Sequence, residues 1–332
     1  MKILYIILAH KEPSQVIKLV ETLIANEHYV IIHYNKLSSN EEFAVLRNRF
    51  ENNLHVFFLD RMKTAWGHFS LMEVIINSLK KAASLDIKYD HAIILSGQDY
   101  PIKSNTEIKR FLASHPQKIF YRHFEITPDM GDNKPYVHPV NDRVTTRPQH
   151  HRVDSYYWRL NSRKYLLLPG EPNPGATSLR VRVSNKIKFL LSKVVKRKFP
   201  DGFRPYFGAT FGIITFEFAE YLINFYAQHP AFNKYMQYAF CADEMYLVTA
   251  AMNHPYFASK MVNNNLIYSK WSEEGGLHPV LLSAQNIEEL QHSSMLFARK
   301  FDTKVDASIL EIVDEKLLLT PGFTTPIDTT KN

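Results

Sequence analysis

Ala92-Ile93-Ile94-Leu95-Ser96-Gly97-Gln98-Asp99-Tyr100-Pro101-Ile102 is the stretch on which the fold turns. An apolar, β-branched run that stops at Ser-Gly and closes on Pro reads as a buried strand running out into a loop. Open α/β sheets bind ligands at such strand ends, where the backbone opens into a crevice. Here a carboxamide, a carboxylate and a phenol crowd around one glycine. An ordinary polar turn after a core strand has the same local features, so the neighbouring segments must decide between the two.

Toward the N-terminus, Ile3 to Leu8 reads as strand one. Pro13 then opens a helix whose apolar residues Val16, Ile17, Val20, Leu23 and Ile24 recur at helical spacing. Tyr29 to His33 is a second strand that ends in Tyr34-Asn35-Lys36, and Leu54 to Leu59 a third. Thr64-Ala65-Trp66-Gly67-His68-Phe69-Ser70 leads into a helix to about Ala83, with Leu71, Val74, Ile75 and Leu79 on one face. Another helix starts near Thr106. This alternation through residue 115 is the mark of a parallel sheet wrapped by crossover helices, so the expected class is α/β with a mostly parallel central sheet flanked by helices. No Gly-x-Gly-x-x-Gly follows strand one and no Walker-type loop occurs. A bound phosphate must therefore be held by side chains or a metal.

Toward the C-terminus the pattern weakens from Asp129 to Gly175, where only Tyr156 to Leu168 looks ordered. A loop of this length inside a compact domain is usually functional or mobile. The segment 180–198 carries eight basic residues and no acid, with Ile187, Leu190, Leu191, Val194 and Val195 at helical spacing. A basic amphipathic helix of this kind suits peripheral contact with an anionic membrane, and a core-packed helix with a solvated back fits the same pattern. Regular structure resumes at Phe203 to Phe211, followed by the strand Gly212 to Phe216, a helix to about Ala227 and a break at Pro230. Ala242 or Asp243 starts a further helix, which puts Asp243 and Glu244 in a first turn where the helix dipole favours carboxylates. Leu266-Ile267-Tyr268, Trp271, the loop Gly275-Gly276-Leu277-His278-Pro279, a helix from Gln285, the run Leu296 to Asp302 and a closing helix from Ser308 to Leu319 complete the chain. With no repeat and no clear linker, 1–320 reads as one domain. It divides into a nucleotide-binding half (1–125), a variable acceptor-side excursion with the basic helix (126–200) and a catalytic and acceptor half (201–320), with a tail at 321–332.

The whole-chain numbers limit the partners. At 332 residues and 45% apolar content the chain can bury a large core, and its 13% aromatic content suits stacking on sugars or bases as well as packing. A single cysteine, Cys241, excludes an internal disulfide and a thiolate metal cluster and favours a reducing compartment. The net charge of +7 points to an anionic partner such as a nucleotide, a phosphate or a membrane surface. The apolar N-terminal run is short, lacks a cleavage site and reads as a strand, and no stretch is suited to span a bilayer. Basic residues interleaved with aromatics in the manner of a nucleic-acid motif are absent, so no nucleic acid is expected.

Trp66-Gly67-His68-Phe69-Ser70-Leu71, Leu95 to Ile102, Ala242-Asp243-Glu244 and Leu296-Phe297-Ala298-Arg299-Lys300-Phe301-Asp302 together resemble the core-2/I-branching enzyme family. This is glycosyltransferase family 14, which contains β-1,6-N-acetylglucosaminyltransferases and peptide O-xylosyltransferases. The resemblance runs from strand one to about residue 315. It implies a GT-A-type fold, a UDP-sugar donor, inversion at the anomeric carbon and no metal cofactor, and no Asp-x-Asp follows the fourth strand. The family's glutamate base matches Glu244, and its diphosphate-binding lysine matches Lys300. The resemblance further implies His33, Tyr34 and Asn35 near the uracil and ribose, and Trp66, Ser70 and Asp99 around the nucleotide sugar. Asp243, Trp271 and His278 fall on the acceptor side. The arginine that branching enzymes carry upstream of the lysine is missing at Gly276-Leu277-His278-Pro279, which leaves Arg299, Lys270 or a protonated His278 as the second phosphate contact. Trp271 and His278-Pro279 look closer to the xylosyltransferase side, so GlcNAc and xylose both stand as donor sugars. The animal enzymes' disulfides and membrane anchor have no counterpart here. The expectation is a bacterial-type, cytoplasmic enzyme of surface-glycan synthesis, acting on a glycan, glycolipid or other hydroxyl acceptor, with peripheral contact at the inner face of the membrane through 180–198.

Two rivals use the same residues. A metal-dependent GT-A transferase would ligate the metal through Asp99 with Asp243 or Glu244. A non-catalytic carbohydrate- or polyanion-binding protein would use the aromatics and the basic helix.

Overall fold

The computed structural model describes residues 1–24, 28–127, 136–138, 143–145, 151–159, 165–168, 197–272 and 279–319. The basic segment 180–196 and His278 lie outside the described residues. Four strands, β1 (Ile3–Ala9), β2 (Tyr29–Tyr34), β3 (Val56–Phe58) and β4 (His91–Ser96), alternate with α1 (Pro13–Leu23), α2 (Asn40–Phe50) and α3 (Ser70–Ser84). The helix α4 (Asn105–Ala113) follows. Ser104 caps it in a reciprocal box with Glu107, which satisfies two otherwise orphaned donors. The central sheet has seven strands in the order Met261–Val262, Ile119–Phe120, Gly212–Thr215, β4, β1, β2, β3. Its left part, β4-β1-β2-β3, is parallel throughout, with Tyr5 opposite both Val30 and Ile93. Only Gly212–Thr215 runs against its neighbours.

The sheet is covered on both faces, and β1 shows why it is apolar at every position. Leu4, Ile6 and Leu8 join a core with α3 and the helix Phe216–Gln228. Ile3, Tyr5 and Ile7 join another with α1, α2 and the closing helical segment. A parallel strand buried on both sides reads as a continuous apolar run for this reason. A second, three-stranded sheet pairs Ile267–Ser269 with Phe297–Arg299, and the latter antiparallel with Asp99–Pro101.

Several expected boundaries move. The third strand shrinks to Val56–Phe58, because Leu54 is 84% exposed and outside the sheet. The helix α2 is absent from the sequence-based alternation. Its cap, the Ser39 hydroxyl accepting from the Glu42 amide at 3.1 Å, and its stripe Phe43-Leu46-Phe50 were the available signals. The expected helix at Ala242 is a single 3₁₀ turn, Ala242–Glu244, and the α-helix begins at Tyr246. The carboxylates therefore precede that helix and do not occupy its first turn. The ordered stretch expected within the excursion is an antiparallel hairpin, Tyr156–Arg159 with Tyr165–Leu168. At the end of the basic run, Arg197 points inward. Its guanidinium donates to the Ser155 carbonyl at 2.8 Å and lies 3.7 Å from the Tyr235 ring centroid. Among the described residues no helix is long and apolar enough to cross a membrane.

Candidate active site

The strand end quoted first is held by a close approach. A Cβ on Gly97 would lie 2.9 Å from Val16 Cγ2 and 3.0 Å from Ala9 Cβ, so only glycine lets the turn press against α1 and β1. Gln15, from α1, then clamps this turn to the C-terminal strand. Its Nε2 donates to the Gly97 and Phe301 carbonyls at 2.8 and 3.2 Å, and its Oε1 accepts from the Thr303 amide at 2.9 Å. Gln98 adds a further bond to the Phe301 carbonyl at 3.1 Å, while the Phe301 amide donates to the Gln98 carbonyl at 2.9 Å. Lys300 is thereby fixed at the end of β4, and its carbonyl accepts from the Leu282 amide.

This corner is basic. Asp99, buried at 1% exposure, accepts from the Ser96 amide at 2.6 Å and stands 3.2 Å from Arg299 Nε, its cross-strand partner, as a charge contact outside hydrogen-bond alignment. Burial raises the Asp99 carboxyl above its ordinary range, and Arg299 pulls it back. Lys11 is tied to Asp302 at 2.5 Å. The Lys300 side chain has no hydrogen-bond or ion-pair partner among the described residues. Its ammonium is pushed below the ordinary lysine range by desolvation first and then by the charges of Arg299 and Lys11. Arg299 and Lys11 are each matched by a carboxylate, so Lys300 is the half-buried cation of this corner left without an ion pair among the described residues, chemistry suited to an anionic group.

The opposite corner is acidic. Cys241, at φ 53°, starts the tight turn that carries Asp243 and Glu244, and its amide donates to the Gly67 carbonyl at 2.9 Å. Gly67 sits at φ +67°, a left-handed conformation that favours glycine, and a Cβ there would meet Cys241 Sγ at an ordinary contact distance of 3.4 Å. Asp243 Oδ2 accepts from Thr210 Oγ1 at 2.9 Å, and its buried Oδ1 has no partner among the described residues. Burial, reinforced by the charge of Glu244, pushes the Asp243 carboxyl up to about 7. Such a group can donate as well as accept near neutrality. Glu244 is partly open, with its Oε2 2.7 Å from Arg152 Nη1. Arg152 comes from the short helix His151–Asp154 in the excursion and lies 5.0 Å from the Phe207 ring centroid. The sequence offered no means of finding it, since nothing local distinguishes Arg152 from the other arginines of that segment.

Thr210 and Phe211 join the corners. Thr210 bonds Asp243, and the ring of the next residue, Phe211, lies 4.7 Å below the Arg299 guanidinium. Two consecutive residues thus touch the acidic turn on one side and the basic strand on the other.

The expected donor-side residues lie at two connections, after β2 and before α3, that Asn35 and Thr64 tie together. Asn35 spans to Thr64, donating to its carbonyl at 3.0 Å and accepting from its amide at 3.3 Å. Ser70, at the start of α3, shares its hydroxyl with His68 Nδ1 at 3.0 Å, and Trp66 packs edge-on to Phe240. His33 and Tyr34 are buried. Burial lowers the His33 imidazole to about 4, so it is neutral, and its Nε2 lies 3.2 Å from both the amide and the carbonyl of Met62. The Tyr34 hydroxyl donates to Glu42 at 2.7 Å. Both side chains are thus committed to packing the loop after β2. Trp271 carries a buried Nε1 without a partner among the described residues, and Lys270 is engaged with Glu289 at 2.8 Å. Among the described residues no three His, Cys, Asp or Glu side chains converge as a metal site requires.

A model of the Core-2/I-Branching enzyme family matches residues 3–295. Xylosyltransferase 2 of Mus musculus is 25% identical over 336 aligned residues, covering 94% of this chain and 33% of its own length. Xylosyltransferase 1 of Rattus norvegicus is 23% identical, covering 95% and 35%. The β-1,3-galactosyl-O-glycosyl-glycoprotein β-1,6-N-acetylglucosaminyltransferase 4 of Danio rerio is 24% identical over 46% of this chain and 39% of its own. The chain therefore spans about a third of the length of the curated relatives it matches. The solved mannosyltransferase Ktr4p of S. cerevisiae overlaps 38% of this chain at a TM-score of 0.20 and 13% identity, too slight to bear on the fold.

Proposed function

Because the chain belongs to the Core-2/I-branching enzyme family, we propose that it is an inverting glycosyltransferase that moves GlcNAc or xylose from a UDP-sugar to an acceptor hydroxyl without a metal. The observation that carries this reading is the pair of opposed corners on either side of Thr210-Phe211, one acidic and one basic. Inversion by direct displacement needs a carboxylate on one face of the anomeric carbon and charge stabilisation on the other. Glu244 supplies the first. It takes the proton of the acceptor hydroxyl as the new bond forms at C1, and Arg152 fixes the direction in which it does so. Lys300 and Arg299 supply the second. As the bond from C1 to the diphosphate breaks, its electrons pass to UDP, whose growing charge the two cations offset. Asp99 cannot serve as an open metal ligand without giving up Ser96 and Arg299.

Asn35, Trp66 and Ser70 border the nucleotide-sugar side of this GT-A-type cleft, and Asp243 and Trp271 the acceptor side. The acceptor is a glycan, glycolipid or other hydroxyl compound of a bacterial surface, with 180–198 as the segment that meets an anionic membrane. Calorimetric titration with UDP-, GDP- and CMP-sugars, each with and without EDTA, tests the proposal. Chelator-resistant binding of one UDP-sugar is expected. Binding that requires manganese, or that prefers another nucleotide, overturns it.

A further inference from the structure

β3 closes the central sheet on one side, and its outer edge has no strand partner among the described residues. The His55 carbonyl accepts from the Val30 amide and the Leu59 amide donates to the Ile32 carbonyl. In a parallel pair alternate residues face the partner, so Val56 and Phe58 turn their main-chain groups outward. Asn53 takes the Val56 amide at 3.3 Å. The Val56 carbonyl and both main-chain groups of Phe58 have no backbone partner among the described residues.

A cavity of about 570 Å³ runs along this edge between α2 and α3. Four cations, Lys36, Arg47, Arg61 and Lys81, line it against one carboxylate, Asp60. Arg61 is bound to the Tyr34, Asn35 and Ser38 carbonyls and to Asn40. The other three cations have no ion-pair partner among the described residues. Arg47 and Lys81 lie in the last turns of their helices, where the dipole favours a cation. The dipoles explain each charge separately but not their convergence on an open strand edge. Cationic edges commonly guard a sheet against pairing with itself, and here a second copy would bring the same charges face to face. A strand bearing carboxylates meets no such barrier.

We propose that the β3 edge is a docking groove for an acidic, extended polypeptide segment that adds to the sheet beside β3. Main-chain bonds to Val56 and Phe58 would supply the pairing. Because side chains alternate across a strand, carboxylates on the guest would reach cations on both walls. The test uses the full chain and a short fluorescein-labelled peptide of alternating Glu and Val, followed by fluorescence anisotropy at low and high salt. Saturable, salt-sensitive binding is expected, weakened roughly tenfold or more in the Arg47→Glu, Lys81→Glu double variant, whose thermal melt checks its folding. N-methylating alternate peptide amides should abolish binding, an arm that needs no protein variant. No binding of the Glu-Val peptide, equal binding of the N-methylated form, or displacement by equimolar inorganic pyrophosphate each overturns the proposal, the last by making the groove a small-anion site.

Discussion

Lys300 is held by bonded chain on both sides of it, whereas Glu244 is held by one arginine from the long excursion. The basic corner is made of strand ends, where paired backbone and two glutamine clamps fix the main chain from which Lys300 extends. The acidic corner is a tight turn that starts from a left-handed residue and leans on Gly67 and Arg152. A charge stabiliser has to be in place whatever lands on it. A base, the role proposed for Glu244, has to meet an acceptor that arrives separately, so it can be held by a single side-chain contact such as that with Arg152.

The sharpest way to break this contrast is to disable each corner alone. Glu244→Gln should lower kcat by about 10³-fold or more while UDP binding by calorimetry stays unchanged. Turnover within tenfold of the parent would remove Glu244 as base. Lys300→Ala should do the reverse in kind, weakening UDP binding and lowering kcat by roughly 10²-fold, with the fold intact by circular dichroism. Unchanged UDP affinity would detach the basic corner from the diphosphate.

Arg152→Gln probes the arginine directly. It should lower kcat by about tenfold and leave UDP affinity within twofold, and Arg152→Lys should restore part of the loss. An equal fall in UDP affinity would mean that Arg152 supports the whole cleft and not the base.

The smallest effect concerns Asp243. Its carboxyl is raised to about 7 in the folded chain, against about 3.9 for an unfolded one. The folded state therefore holds this proton more tightly. The contribution is full at low pH, declines as pH rises through that window, and is gone above it. Between pH 5 and pH 8 the parent should lose roughly 2–3 kcal/mol more stability than Asp243→Asn, read from urea melts at both values. Parallel losses in the two proteins would show that the buried carboxyl does not titrate there.

Much of the basic corner was legible in the sequence. The run from Ile93 to Pro101 declares a strand, a close-packed glycine and a polar exit, and Arg299-Lys300 sits in a second apolar run of the same kind. β1, β2 and β4 could be read because both faces of each are buried, so composition alone marks them. The reversed direction of Gly212–Thr215 could not, since strand polarity leaves no trace in a four-residue apolar run. The turn at Cys241 was misread as helix because Ala-Asp-Glu before an apolar run suits a helix start. The φ of 53° at Cys241 carries no sequence signal in a residue other than glycine or asparagine. Arg152 was beyond reach for a different reason: its identity as a partner exists only once His151–Asp154 packs beside the turn that carries Glu244.

The clamp at Gln15 has a consequence for synthesis. One side chain near the start of the chain bonds the Phe301 carbonyl and the Thr303 amide near its other end. As the chain leaves the ribosome, β1, β2 and β4 can pair long before those residues appear, because domains form from the N-terminal side as they emerge. Until then Gln15 has one of its three bonds, that to Gly97, and the strand end there faces no lysine. The parallel strands β1, β2 and β4 can therefore be in place for most of synthesis, while the corner that joins Gly97 to Lys300 closes only near its end.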